Sequence, residues 1–347
     1  DGKESGIFVH DKGAGLFEEN DITLNTLSGV EISTEGQPMF RKNRVFDGLA
    51  TGISVHDLGA GSFEENEIFN NALSGVNIES GGNPMMRRNY VHGGKESGIY
   101  VHNCGYGIME ENEILNNAFS GVEIESKGNP ELRRNRIRGG LMNGVFVHDE
   151  GDGLLEDNEI FANALAGVYV TTNADPTLKG NRIHSGIKSG VQVGDNGLGT
   201  FIQNEIFDNE LAGVTVETGG NPTLKENRIH DGKDSGVYVH NAGKGIFQNN
   251  DIVGNTMSGI SVETAGDPEF IDNRIHDGQD SGIAVFEGGL GSFKDNQIFA
   301  NQGVQVDIAT QGNPKLLNNK IHDSFHSAVL VHDSGEGLIE MNEIYSC

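Results

Sequence analysis

The chain repeats itself. Aligned every 46 residues from Asp1, seven full units end at His322 and 25 residues remain. Each unit splits into two 23-residue halves that share one template, so the template occurs fifteen times. With Ser5 as position 1, the first copy reads SGIFVHDKGAGLFEENDITLNTL and the second SGVEISTEGQPMFRKNRVFDGLA. A unit this short cannot bury an apolar face alone, but stacked neighbours bury it jointly, which is how a solenoid is built. Positions 3 and 5 are Ile or Val in every copy, position 13 is Phe, Leu, Met or Ile, and position 18 is Ile or Val. Polar residues separate them, so the alternation runs with period two in short pieces, and helical periodicity is absent. The pattern predicts an all-β, right-handed, single-stranded parallel β-helix of fifteen 23-residue coils with about three short strands per coil. It predicts a single domain over residues 1–347.

Position 16 is Asn in every copy, from Asn20 to Asn342. Between two apolar positions it should point inward at a corner, where each amide can bond the amides above and below and the turn backbone. Every proline, from Pro38 to Pro314, sits at position 11 of an even copy, and odd copies carry Gly there. Proline cannot donate to a ladder, which makes position 11 a corner or strand entry. Position 21 alternates Asn and Gly, as in Asn25, Gly48, Asn71 and Gly94. Those two residues best tolerate positive φ, so position 21 is expected to be a left-handed turn residue.

Charge accounts for the doubling of the period. Position 17 is acidic in most odd copies (Asp21, Glu67, Glu113, Glu159, Glu205, Asp251) and Arg in most even ones (Arg44, Arg136, Arg182, Arg228, Arg274). Position 14 alternates likewise early on, from Glu18 and Arg41 to Glu110 and Arg133. Stacked neighbours about 4.8 Å apart then carry opposite charges. Each exposed pair is worth about 0–1 kcal/mol, and the larger role is register, because a one-coil slip would pair like with like.

The formal net charge is −27, with a pI near 4.7. That argues against nucleic acid or an anionic membrane as a partner. No apolar run approaches membrane-spanning length. Cys104 and Cys347 lie ten coils apart, roughly 48 Å, so an intramolecular disulfide is excluded, and unpaired thiols favour a reducing, intracellular compartment. No capping helix is visible at either end, and bare coil ends present open strand edges. The chain is therefore expected to be part of a longer protein or to self-associate end to end.

The strings GNPELRRNRIRGG, SGIYVHNCGYGIMEENEILNNAFSGVEI and GNPTLKENRIHDGKDSGVYVHNAGKGIFQNN resemble CASH repeats, the β-helix repeats of carbohydrate-binding proteins and sugar hydrolases. Within that pectate-lyase-like group the double-coil phrase is most similar to the β-helix of F-box-only (FBXO-eleven type) ubiquitin-ligase substrate receptors. The resemblance spans essentially the whole chain and implies substrate recognition for a ubiquitin ligase. Two cysteines cannot build a zinc module, and no F-box segment is present, so that role would need flanking sequence.

An active site would break the repeat, because catalysis needs unlike residues converging at one place. Here almost every Asp, Glu, Arg and His recurs at its own position, and doublets such as Glu18–Glu19 read as a solvated face. This leans away from an enzyme, and no cofactor is expected. Two rows are candidates for binding. The first lies at positions 6 and 7: His10, Asp11, His56, Asp57, His102, His148 and Asp149 could ligate metal, although a His–Glu pairing ladder is the favoured reading. The second is position 19: Phe69, His92, Phe161, His184, Phe207, His230, His276, Phe299 and His322. Aromatics recurring at about 9.6 Å along it would suit an extended peptide or a sugar chain. The competing reading is an outer mini-core under the following turn. The repeat is degraded at Gly194 and around AVFEGG and NQGVQVDIAT, where Phe286 and Val304 are out of pattern. Drift is the favoured explanation and a site the other. The leading expectation is a non-catalytic scaffold for a protein partner. A carbohydrate-active β-helix and a structural, fibre-forming solenoid are the alternatives.

Overall fold

The computed structural model describes residues 4–347. The first coil holds three three-residue strands, β1 (Ile7–Val9), β2 (Leu16–Glu18) and β3 (Asp21–Thr23), and the pattern continues to β45 (Glu343–Tyr345). Like strands stack into three parallel sheets of fifteen strands each. The register step is one coil throughout, as in Ile7↔Val30, Leu16↔Met39 and Asp21↔Arg44. The fold is thus a right-handed parallel β-solenoid of fifteen 23-residue coils. Its contacts group into two compact units, Asp1–Val168 with Ala174–Thr177, and Tyr169–Asn173 with Leu178–Cys347.

Both units are built alike inside. In the first, Val30, Ile32, Val76 and Ile78 are fully buried, and Phe40 stacks on Phe63 at 5.3 Å. In the second, Val214, Val216 and Ile260 are fully buried, and Phe247 stacks on Phe270 at 4.4 Å. Each such side chain contributes about 1.5–3 kcal/mol, so even a thin inner ring stabilises a coil.

The position-16 asparagines form a ladder in each unit. Asn66 Oδ1 accepts from the Asn43 backbone N–H at 2.9 Å and from Asn43 Nδ2 at 3.1 Å. Its own Nδ2 donates to Asn89 Oδ1 and to the Phe40 carbonyl, both at 3.0 Å. Asn250 repeats this between Asn227, Asn273 and Leu224 in the second unit. The preceding residue holds a left-handed φ, 52° at Arg88 and 54° at Asn249, which turns the amide inward.

Position 21 differs from the expectation. The left-handed residue is its neighbour at position 20, for example Asp47 (φ 52°), Asn70 (φ 55°) and Asp277 (φ 53°). Asn71, Asn117, Asn209, Asn255 and Asn301 are instead buried. Asn71 Oδ1 accepts the Gly48 N–H at 3.0 Å, and its Nδ2 donates to the Val45 carbonyl at 3.2 Å. A Cβ on Gly48 would lie 2.9 Å from that oxygen. The glycine is there for space, not for φ, and the row is a second, interrupted amide ladder.

The charged rows pair across coils. In the third sheet Arg136 Nε lies 2.9 Å from Glu159, and Arg182 Nε lies 3.0 Å from Glu205. In the second sheet Arg41 pairs with Glu18, and Arg87 with Glu110 at 3.5 Å.

Candidate functional site

In the first sheet, positions 3 and 5 point inward, which leaves positions 4 and 6 to form its outer face. Position 6 is legible along the repeat, and position 4, which varies from coil to coil, is not. The two cooperate: position-4 rings stack on position-6 imidazoles two residues on, with centroids 4.2 Å apart for Tyr100–His102, 4.1 Å for Phe146–His148 and 4.3 Å for Tyr238–His240.

Over coils five to seven, in the first unit, this face is filled. Tyr100, Glu123 and Phe146 occupy position 4 of coils five to seven, with His102, Glu125 and His148 beside them. The Ser97 hydroxyl donates to Glu123, and the Tyr100 hydroxyl donates to Glu125. His148 Nε2 lies 3.3 Å from Glu123 and Nδ1 2.9 Å from Asp149. Burial would lower the His148 pKa, but the hydrogen bonds to Glu123 and Asp149 outweigh it and raise the pKa above the ordinary imidazole value. Glu123 shows the reverse: burial would raise it, and its bonds from His148 and Ser97 hold it below the usual carboxylate range. Burial, reinforced by Glu125, pushes the Tyr100 phenol up.

Over coils twelve and thirteen, in the second unit, the same face is hollow. Coils twelve and thirteen place Ser261 and Ala284 at position 4, and a groove of about 550 Å³ opens over them. Tyr238 forms one end of its floor and donates its hydroxyl to Glu263. Met257 and Phe286 supply apolar walls. Asp234, Glu263, Asp280 and Asp307 also line it, and the lining contains no Lys, Arg or His. Asp307 is further held by His332 Nε2 at 3.1 Å. Phe286 is one of the residues out of pattern in the sequence, so the break in the repeat was the available signal.

The position-19 residues form columns. Phe46, Phe69 and His92 stack at 4.8 and 5.1 Å, His184, Phe207 and His230 at 4.6 and 5.1 Å, and His276, Phe299 and His322 at 4.6 and 5.0 Å. The histidines intercalate, so the ring spacing is one coil step. These faces are occupied by neighbours, and arginines close over the sides, with Arg182 5.2 Å from the Phe207 centroid and Arg136 5.4 Å from Phe161. His92 Nε2 meets Glu67 at 3.2 Å, and His230 meets Glu205 at 3.3 Å.

The position-6 histidines sit two coils apart and do not converge on one another. Each makes its own local contacts: His10 Nδ1 with Asp11 at 2.9 Å, His56 Nδ1 with Asp57 at 3.0 Å, and His102 Nε2 with Asn77 at 2.9 Å. One group among the described residues, Glu125, His148 and Asp149, brings three ligand atoms within 4.8 Å of one another.

No curated protein matches the sequence. Solved structures do match. The A-module of the mannuronan C-5 epimerase AlgE6 of Azotobacter vinelandii aligns with a TM-score of 0.53 and 13% identity, covering 90% of this chain and 91% of that one. A hyper-glycosylated TibA fragment, modified by TibC, aligns with a TM-score of 0.57 and 13% identity over 93% of this chain and 99% of that one. A chain of the Vag8–C1 inhibitor complex aligns at 0.57 and 14% over 96% and 100%. At such identities the likeness is one of fold. The sequence model for the right-handed β-helix region matches residues 1–105, 74–225 and 212–347. The three spans together cover the whole chain, which therefore belongs to the right-handed β-helix family.

Proposed function

We propose that the chain is a non-catalytic scaffold that binds a protein partner along the outer face of its first sheet. The groove of coils eleven to fourteen grips an extended, cationic segment of that partner. The observation that carries this is the lining: four carboxylates, an aromatic floor and no cation. Three coil steps span roughly 14 Å, the length of about four extended residues. A Lys or Arg stem packs on Tyr238 and Phe286 while its head meets Asp280 or Asp307. The formal charge of −27 steers such a segment in and repels polyanions. The Vag8 neighbour, solved with a protein inhibitor, is a case of this fold in a protein complex. Substrate recognition for a ubiquitin ligase, implied by the resemblance to F-box-only receptors, is one form this role takes.

The second reading is a carbohydrate-active β-helix, favoured by the epimerase neighbour. The acidic lining disfavours a polyuronate in this groove. A peptide array and a glycan array probed side by side separate the two readings. Lys- and Arg-bearing peptides should bind with marked salt sensitivity, and D280N/D307N should weaken them about tenfold, or 1.4 kcal/mol. Enrichment of glycans with no peptide bound would sink the scaffold reading.

A further inference from the structure

His148 has carboxylates at both ring nitrogens. Nε2 faces Glu123 Oε1 at 3.3 Å, while Nδ1 faces Asp149 Oδ2 at 2.9 Å and Glu125 Oε2 at 3.6 Å. A neutral imidazole has one N–H to give. If Nε2 donates to Glu123, the Nδ1 lone pair points at two carboxylates. Three electron-rich atoms then face one another, an arrangement that a proton or a metal ion among them relieves.

The 2.9 Å contact to Asp149 accommodates a proton, and the three-atom arrangement also accommodates a metal. Zinc bonds of about 2.0–2.2 Å to N and O place tetrahedral ligands about 3.4 Å apart. The distances from Nδ1, 2.9 and 3.6 Å, bracket that value, and all three ligand atoms lie within 4.8 Å of one another. Glu123 takes the place of the carboxylate that commonly orients a ligating imidazole through its other nitrogen. Phe146 stacks on the ring at 4.1 Å, and the His148 side chain is 11% exposed, while that of Asp149 is 57% exposed and faces water. The remaining carboxylates are anchored from behind, by Ser97 on Glu123 and Tyr100 on Glu125.

The repeat supplies its own controls. His102 and His240 also have a glutamate at position 6 of the preceding coil, Glu79 and Glu217, but are followed by Asn103 and Asn241. His56 and His332 are followed by Asp57 and Asp333, but have Ser33 and Ala309 on the preceding coil. His230 and His276, like His56 and His332, have one carboxylate at each ring nitrogen. Among the described residues, coil seven alone brings two carboxylates to the same nitrogen, Nδ1 of His148.

We propose that Glu125 Oε2, His148 Nδ1 and Asp149 Oδ2 bind a divalent transition-metal ion, with coordination positions left open towards solvent. One nitrogen and two carboxylate oxygens suit zinc or manganese better than calcium, which prefers all-oxygen shells. This site lies in the first unit and is independent of the groove in the second.

The test is zinc titration by calorimetry on the full chain carrying C104S and C347S, both exposed thiols being removed as competing ligands. One site should saturate first. E125Q and D149N should each weaken it at least about tenfold, and E123Q, which frees the ring, by about 10–100-fold. E79Q and E217Q should leave it unchanged. On zinc addition the His148 Nδ1 resonance in a long-range ¹H–¹⁵N spectrum should shift. If E79Q or E217Q weakens binding as much as E125Q, the ions are held by diffuse acidic surface and the proposal fails. It fails equally if zinc binds and that resonance stays in place, or if no zinc binds.

Discussion

The outer face of the first sheet is filled over coils five to seven and hollow over coils twelve and thirteen. In coils five to seven, position 4 carries Tyr100, Glu123 and Phe146, each held by neighbours. In coils twelve and thirteen the same position carries Ser261 and Ala284, and the space they vacate is the groove. The wall behind is the same in both, a parallel sheet in one-coil register over buried Val and Ile. The backbone therefore specifies no function at any level. Function enters where a side chain is subtracted from a common wall, or where three carboxylates surround one imidazole.

That contrast can be broken from beneath. The two faces rest on the same amide ladder, so removing a rung should hurt both units alike. Asn66→Leu and Asn250→Leu each strand the amide N–H groups of the preceding rung and the carbonyls they bonded. At about 1–3 kcal/mol per stranded buried group, each should cost about 3 kcal/mol or more, read from urea midpoints and hydrogen exchange. Tolerance of one and not the other would mean that the interiors differ after all.

Refilling the hollow is the next largest effect. A284Y should abolish binding of cationic peptides while stability changes by under about 1 kcal/mol, since the residue faces outward. The counterpart Y100A, on the filled face, should leave peptide affinity unchanged. Anisotropy titrations of both against one labelled peptide check the pair, and a loss with Y100A would place the binding surface elsewhere.

Smaller effects grade the second ladder. A Cβ on Gly278 would sit 3.0 Å from Asn301 Oδ1, and one on Gly140 would sit 3.4 Å from Asn163 Oδ1. G278A should therefore destabilise by about 1–2 kcal/mol and G140A by less, measured by urea unfolding. The smallest effect concerns Glu205, held below the usual carboxylate range first by its hydrogen bond from Arg182 and then by His230. Its contribution is fully present above pH 4.5, the unfolded value, and is lost as pH falls through the lower folded value. E205Q should remove that part of the acid dependence, under about 1 kcal/mol because the pair is solvent-screened. Unchanged unfolding profiles between pH 2 and 5 would show that the pair contributes nothing.

The interior was legible because it is under one demand repeated fifteen times. Positions 3, 5, 13, 16 and 18 cannot vary without opening the core, so their roles stand out from a single chain. Position 21 misled for a physical reason. Asn and Gly do tolerate positive φ, yet the corner hydrogen bonds impose a left-handed φ on Leu24, Arg88 and Thr172. The Asn–Gly choice answers a steric question that propensity does not pose. Position 4 escaped notice because outward side chains answer to no core and look random along the repeat. The interruption at Phe286 stands out along the repeat, but only the fold places that residue beside the groove over Ser261 and Ala284. The aromatic row at position 19 was visible too. Its intercalated histidines, which turn a spaced row into a continuous ring column, only make sense in three dimensions.

The glycine under each buried position-21 asparagine has a consequence for how such a chain can change its length. An asparagine here occupies its own level and reaches into the one before, so levels come in two kinds that must alternate. Deleting or duplicating a single coil would set amide against amide, or leave two empty levels adjacent. The solenoid therefore has parity: evolution or an engineer can lengthen or shorten it cleanly only by 46 residues at a time, and an odd graft should betray itself by a local defect at the splice.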